Sequence, residues 1–595
     1  MITILSRLQD HAANQPQNVA YAAKVDGEWR TTSWVDFASQ VRHTARVFLQ
    51  LGLEPGETVG ILSFNRPEWT VSCLAAMSAG GVPVGIYQTC APNQVAYIAG
   101  HAASRILVVE NLEQWHKVKQ IYEELPALEH VIVMQDADVP QLEDASRLSV
   151  RGWSEVLEMD VDEASETRLE ARMAALEGDQ LAVLIYTSGT TGQPKGVMLT
   201  HSNLIDTARI CDSLHGLGSK DSTLSYLPMA HIAEQMISIH LAIFSGYAVY
   251  YAEALEKLAA NLTEVRPTIF FGVPRVWERI HASVLGKLET APTVRRVLGK
   301  WALDVGRRAA ARRLDGLRVS GLLAIQFSLA QKLVLSKVRS KLGMDRAQLC
   351  SSGAAPIRRD VLEFFASLGV VIYEVYGLSE TCGPATWNYA GLTRLGTVGP
   401  VLPEVEVEIA DDGEVLFRGP NVFSGYYKNP EATAEAMADG WFHTGDVGQL
   451  DAKGFLTITG RKKELIITSG GKNIAPTGIE AALKRIDLVG EAVVIGEARR
   501  FLSALLTLEE EAAARFAEER GIEGPLHDDE HLLVELQEGV DEVNAGLSRV
   551  ESIRKFRVLP RSFSVEDEEL TPTLKLRRQQ IEANWRSEIE GMYEG

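Results

Sequence analysis

LIYTSGTTGQPKGVMLTH, residues 184–201, decides how this chain is read. An apolar, strand-like run leads into Thr187, Ser188, Gly189, Thr190, Thr191 and Gly192, and Lys195 and Gly196 follow. A loop of glycines and small hydroxyl residues wraps phosphate oxygens with backbone N–H groups, and the hydroxyls add further donors. A lysine at its end supplies a mobile positive charge for a polyphosphate. A lone stretch of Gly, Ser and Thr is more often a surface turn. Here the strand before it and the lysine after it shift the balance. The order is not that of a Walker A loop, because Gly196 rather than Ser or Thr follows Lys195.

Outward from this loop, strand-like runs alternate with helical stretches: ETVGILSF, EWTVSCLAAMSAGG, VPVGIYQ, SRILVVEN and HVIVMQ. That alternation predicts an α/β fold with largely parallel sheets flanked by helices. Near Thr397 the texture changes to period-two alternation with an Asp412-Gly413 turn, the pattern of a small β-rich unit. After GRKKE, residues 460–464, short strands and helices resume, and a smaller α+β C-terminal domain is expected there. The expected division is 1–461 and 462–595.

At 595 residues the chain exceeds what one hydrophobic core organises. A net charge of −20 argues against a protein that grips nucleic-acid phosphates as its main task. The five cysteines are scattered without zinc or disulfide spacing, which fits a reducing, cytoplasmic setting. MITILSRLQDHAANQPQ has no apolar core or cleavage site of a secretory signal. The run ISIHLAIFSGYAVYYA from Ile237 is shorter than the ~20 residues that span a bilayer and reads as a buried helix followed by a strand. A soluble protein able to touch a membrane surface is expected.

The loop resembles the signature of the adenylate-forming superfamily of acyl-CoA synthetases, luciferases and peptide-synthetase adenylation domains. The other motifs of that family follow in order: YLPMAHIAEQ (226–235), SSGAAP (351–356), YEVYGLSET (373–381), GWFHTGD (440–446), GRKKELIITSGGKNIAP (460–476) and TPTLKLRR (571–578). The resemblance covers nearly the whole chain. It implies ATP, Mg²⁺ and coenzyme A as reactants, and a C-terminal domain that rotates between two half-reactions.

Residue by residue, Gly353, Ala354 and Ala355 would let backbone approach one face of adenine. Tyr376 would stack on the other face, and Glu374, Val375, Gly377 and Ser379 in the same motif would border the nucleotide with it. Ser379 stands where the family more often has threonine and keeps the hydroxyl. Asp446 and Arg461 resemble the ribose ligands. Glu380, with Thr187, resembles the Mg²⁺ site, since that ion takes one or two carboxylates plus phosphate oxygens. Lys575 matches the adenylation lysine, although Leu574 precedes it where the family usually has glycine. Lys463 matches the hinge, and Gly470 the glycine past which pantetheine reaches. Each residue alone has an ordinary explanation as turn, cap or core. The ordered set does not.

A carboxylate resists attack because it is anionic and would have to expel oxide. A mixed anhydride with AMP offers a leaving group that a thiolate displaces, and making it requires positioning and charge neutralisation rather than a nucleophilic side chain. For the acid, PTIFFGVPRVWERI (267–280) and the helical insert at about 281–343 resemble the long-chain fatty acyl-CoA synthetase subgroup. Selectivity for long chains follows from tunnel length, at ~0.8 kcal/mol per buried CH₂. Val273, Pro274 and Trp277 are candidate tunnel or gate residues and His231 a candidate neighbour of the carboxylate, with core packing the even alternative. The basic stretch RRVLGKWALDVGRRAAARRLDGLR reads as a solvated helix face or as a surface for anionic lipid. Two rivals stand beside a CoA ligase: a fatty acyl-AMP ligase that loads a carrier protein, and a catalytically silent acyl-binding protein.

Overall fold

The computed structural model describes residues 2–135, 147–187, 193–469, 473–522, 524–571 and 575–594. Two eight-stranded sheets dominate it. The first contains the parallel strands Thr58–Leu62, Val82–Ile86, Ser104–Val109, His130–Val133, Ser149–Gly152 and Leu181–Thr187. It ends in two antiparallel additions, Lys195–Thr200 and Gly425–Tyr426. The second sheet is likewise parallel at its centre, with Ile269–Gly272, Leu349–Ser352 and Ile372–Leu378 side by side, and antiparallel at both edges.

Strands buried on both faces explain why these runs are so apolar. Along Ser104–Val109, Ile106 and Val108 point into a core shared with the second sheet. Leu107 and Val109 point the other way, into a core closed by Pro92–Ala102 and Leu112–Ile121. A third core lies under the second sheet, where Phe270, Cys350 and Ile372 meet the helices of the 274–368 region. All five cysteines are buried and unbridged.

The β-rich unit expected after Thr397 is present. Glu406–Ile409 and Glu414–Arg418 form a hairpin turning through Gly413 at φ +86°, and Trp441–Leu450 and Leu456–Arg461 continue the sheet. Beyond it, the three strands Val489–Ile495, Leu502–Leu508 and Ile553–Val558 carry their own cores. The run from Ile237 is helical to Ser245, with a π-helical turn at Met236–His240, and then enters the strand Ala248–Tyr251. Among the described residues no helix is long and apolar enough to cross a membrane.

Candidate active site

The strands on either side of the phosphate-loop candidate pair with each other as a β-hairpin. Leu181–Thr187 pairs antiparallel with Lys195–Thr200, and Thr187 stands directly opposite Lys195. A Walker A loop instead joins a strand to a helix, so the backbone agrees with the exclusion drawn from Gly196. Ser188, Gly189, Thr190, Thr191 and Gly192 lie outside the described residues, as does Gly470. Gly196 packs closely, since a Cβ there would lie 3.2 Å from the Tyr186 ring and 3.3 Å from Tyr427.

A short strand that sequence reasoning did not single out completes this wall. Tyr426 pairs with Val197, and the Lys195 ammonium sits 4.7 Å from the Tyr426 ring centroid. The Tyr426 hydroxyl donates to Glu380 Oε1 at 2.8 Å, and the Phe423 N–H donates to the Glu380 carbonyl. One tyrosine thus joins Lys195 to Glu380. Burial holds the Glu380 carboxyl above the usual carboxylate range.

The motif at 373–381 forms a strand, Ile372–Leu378, and a 3₁₀ turn that carries Ser379 and Glu380. Gly377 admits no side chain, since a Cβ would fall 1.8 Å from the Gly383 carbonyl oxygen. Gly353 backs onto the same strand, where a Cβ would lie 2.8 Å from the Val375 oxygen. Ala354 takes a left-handed φ of +69°, and Ala354 and Ala355 face open solvent at the cleft. Glu374 is buried and accepts from the Gly396 N–H at 2.8 Å, and burial pushes its carboxyl up to about 7.

Asp446 and Arg461 stand opposite each other in neighbouring strands. Arg461 Nε lies 3.2 Å from Asp446 Oδ1, and the Tyr376 hydroxyl donates to Oδ2 at 2.5 Å. Asp446 is only 4% exposed, so both carboxylate oxygens are oriented from below. Burial raises its pKa, against Arg461 and Tyr376. Lys462 pairs with Asp412 and Glu414 at 2.6 and 2.9 Å, and Lys463 follows on the same exposed turn.

Lys575 reaches this cleft from far along the chain. Thr571 N–H donates to the Lys575 carbonyl, the Thr571 hydroxyl accepts the Lys575 N–H, and Leu570 bridges Leu576, so the lysine stands on a closed hairpin. Its side chain is close enough to Arg461, Asp446, Glu380 and Glu464 to interact electrostatically. Crowding by protein and the Arg461 charge pull the ammonium below the ordinary lysine range, while the residue stays exposed because the cleft is open.

His231 faces the same lysine from the N-cap of Ile232–Gln235. Its Nδ1 accepts the Ala233 N–H at 3.2 Å, which leaves the proton on Nε2. Burial and Lys575 push its pKa down to about 3, so the ring is neutral. Three residues on, Glu234 is 3% exposed and accepts from the Ser238 hydroxyl at 2.6 Å. Burial pushes its carboxyl up to about 7.

The acyl candidates divide. Val273 caps the helix Pro274–Glu289 and is half-buried. Pro274 and Trp277 are buried, and the Trp277 indole donates to the Gly272 and Ser351 carbonyls at 3.0 and 3.2 Å between Phe270 and Phe365. Trp277 is therefore placed in the core behind the strand ends.

Hydroxyl and lysine at a hairpin base, a cradled carboxylate–guanidinium pair and an incoming lysine make up the equipment of a nucleotide-activating enzyme. The profile of the AMP-binding enzyme family matches residues 8–427, and that of the AMP-binding enzyme C-terminal domain matches residues 463–595. The chain belongs to the AMP-binding enzyme family. It is 37% identical to the long-chain-fatty-acid–CoA ligase ACSBG2 of Xenopus laevis, over 100% of this chain and 84% of that one. It is also 37% identical to the long-chain-fatty-acid–CoA ligase FadD15 of Mycobacterium bovis, over 98% and 96%. The fold matches o-succinylbenzoate CoA synthetase of Bacillus subtilis with its acyl-adenylate intermediate, at TM-score 0.70 and 20% identity over 97% of both chains. It matches the adenylation domain of a carboxylate reductase of Mycobacterium chelonae at TM-score 0.73 and 20% identity, over 100% and 91%.

Proposed function

We propose that the chain is an ATP-dependent long-chain fatty acid–CoA ligase. The fatty-acid carboxylate attacks the α-phosphorus of ATP, pyrophosphate leaves, and the CoA thiol then displaces AMP from the acyl-adenylate. The observation that carries the reading is Lys575, brought by the chain's last part to Asp446, Arg461, Glu380 and His231 from the rest.

In this reading Asp446 takes the ribose hydroxyls, held in place by Tyr376 and Arg461. Gly353, Ala354, Ala355, Glu374, Val375, Tyr376 and Gly377 border the adenine. The Thr187–Lys195 hairpin holds the β- and γ-phosphates. Lys575 sits between carboxylate and α-phosphate, where its charge offsets the repulsion of two anions and stabilises the transition state. A neutral His231 donates to the incoming carboxylate without adding charge. The acyl chain runs past Val273 and Pro274, with Trp277 supporting that wall from behind.

Glu380 fits Mg²⁺. It is a single carboxylate, oriented by Tyr426, with the Thr187 hydroxyl and phosphate oxygens as the remaining oxygen donors. When bound, Mg²⁺ neutralises charge on the polyphosphate. The division at 461/462 makes Lys463 the hinge, and Gly470 borders the thiol's path. The setting is cytoplasmic, with peripheral contact to a membrane that holds the lipid substrate.

Enzyme, ATP and palmitate are incubated with and without CoA. We expect pyrophosphate release in both, and palmitoyl-CoA with AMP only when CoA is present. Pyrophosphate without thioester would move the acceptor to a carrier protein. No palmitate-dependent pyrophosphate would leave a silent acyl-binding protein.

A further inference from the structure

The helices Thr293–Leu314 and Gly321–Ala330 pack against each other, and the second runs on through a π-helical turn, Gln331–Leu335, into Ser336–Lys341. Along this run Ala330 and Leu335 are buried, and Leu323, Phe327, Val334 and Val338 pack on the third core. An ordinary surface helix is polar on its other side. This one is not. Leu322, Ile325, Leu329 and Leu333, spaced three, four and four residues apart on one helical face, are 70%, 62%, 49% and 45% exposed. Leu317 on the preceding turn is half exposed as well. A contiguous exposed apolar stripe marks an interaction site.

The charge around the stripe says what covers it. Residues 293–341 carry twelve arginines and lysines against two aspartates, in a chain of net charge −20. Arg312, Arg313 and Arg318 gather at the Leu317 end, with Arg312 Nε bonded to the Arg318 carbonyl and Arg313 stacked on Phe327. Exposed Lys332 and Lys337 flank the other end. Basic side chains beside exposed leucines match an anionic lipid surface, where acyl boundary and headgroup lie a few ångströms apart. A second copy of the same basic face would instead be repelled.

We propose that the stripe Leu322–Ile325–Leu329–Leu333, with its ring of arginines and lysines, is the surface by which this protein docks on an anionic phospholipid bilayer. The proposal rests on the membrane contact read above and gives it a location. The insert is tied to the acyl end of the site. The helix Pro274–Glu289 begins at Val273 and ends against Thr293–Leu314, where a Cβ on Gly299 would lie 2.4 Å from Leu288. Docking through the stripe therefore holds the acyl entrance in fixed relation to the bilayer that stores its substrate.

The test is co-sedimentation of the full chain with vesicles of phosphatidylcholine plus phosphatidylglycerol and with vesicles of phosphatidylcholine alone. A triple variant, L322S/I325S/L329S, and a second, R312Q/R313Q/R318Q, are compared with wild type. Ligase activity on palmitate in detergent micelles serves as the control for folding. We expect wild type to bind the anionic vesicles, each variant to bind them at least about tenfold more weakly, and micellar activity to be unchanged. Wild type bound to neither vesicle would remove both the membrane contact and its proposed location. Wild type and variants bound equally to anionic vesicles would place the contact elsewhere and overturn only this proposal. Equal wild-type binding to neutral vesicles would overturn its electrostatic half. Dimerisation lost in the leucine variant, seen by sedimentation velocity, would make the stripe a subunit interface instead. Absence of thioester in micelles bears on the ligase reading alone.

Discussion

In the proposed arrangement the Lys575 ammonium lies between a carboxylate and an α-phosphate and lowers the energy of the transition state by offsetting the repulsion of two anions. Lys575→Ala should cut palmitate-dependent pyrophosphate release by about 10²–10³-fold, the scale of losing one preorganised electrostatic donor. Thioester formation from preformed palmitoyl-adenylate and CoA should fall only severalfold, because that step neither needs the lysine nor places it there. Equal losses in both assays would make Lys575 a structural residue. Glu234 makes a different prediction. Burial raises its carboxyl from 4.5 to about 7, so the unfolded chain ionises first as pH rises. Stability is undiminished below 4.5, declines between 4.5 and 7, and stays lower above that, by up to about 3 kcal/mol. Glu234→Gln removes the titration. Its melting temperature relative to wild type should rise on going from pH 5 to pH 8, and parallel profiles would contradict the assignment.

At the scale of elements, the lysine's aim depends on how its hairpin is held. Arg578, three residues on, donates from Nη2 to both Glu480 oxygens at 2.7 and 2.9 Å and from Nη1 to the Val494 carbonyl, while Glu480 also accepts the Val494 N–H at 2.7 Å. On the other arm, fully buried Glu569 accepts from Arg561 and Trp585. Burial raises the Glu480 carboxyl even beside the arginine, so the pair serves placement more than net stability. Glu480→Ala strands a buried guanidinium and should cost about 3–5 kcal/mol. At temperatures where the variant stays folded, kcat for adenylation should drop more than the KM for ATP rises; an unchanged kcat would free the hairpin from this anchor. Much at this scale was legible beforehand. Alternating strands, the Asp412-Gly413 turn and the helix-to-strand reading from Ile237 follow from short-range period and turn chemistry. The second strand of the phosphate hairpin was not, because VMLT is too short to distinguish itself from a loop. Nor were the cross-links: Tyr426 lies 46 residues from Glu380 and Tyr376 lies 70 from Asp446. Only the tertiary fold, not local pattern, brings such pairs together. Trp277 was ambiguous for a related reason, since an apolar wall and an apolar core select the same residue.

For the whole molecule, the proposed ligase reading assigns this arrangement to one half-reaction. With Lys575 in the cleft, its charged neighbours are Arg461, Asp446, Glu380 and Glu464, and in the proposed reading a thiol approaching the adenylate needs a different surface there. A segment that turned between the two parts would be short. Arg461 and Lys462 are tied to Asp446, Asp412 and Glu414 on the larger part, whereas Ile466 already belongs to the core of the smaller one. That leaves Lys463, Glu464 and Leu465, and Lys463 is exposed on its 3₁₀ turn. Proline there locks φ near −65° and restricts Lys462 as well. Lys463→Pro should leave palmitate-dependent pyrophosphate release within a few-fold of wild type, because the adenylating arrangement needs no rotation. Palmitoyl-CoA formation should slow by about tenfold or more, and the acyl-adenylate should accumulate on the enzyme in a rapid-quench experiment. If both products were to appear at wild-type rates, the rotation would pivot elsewhere. If pyrophosphate release fell in step with thioester formation, Lys463 would belong to the adenylating site itself.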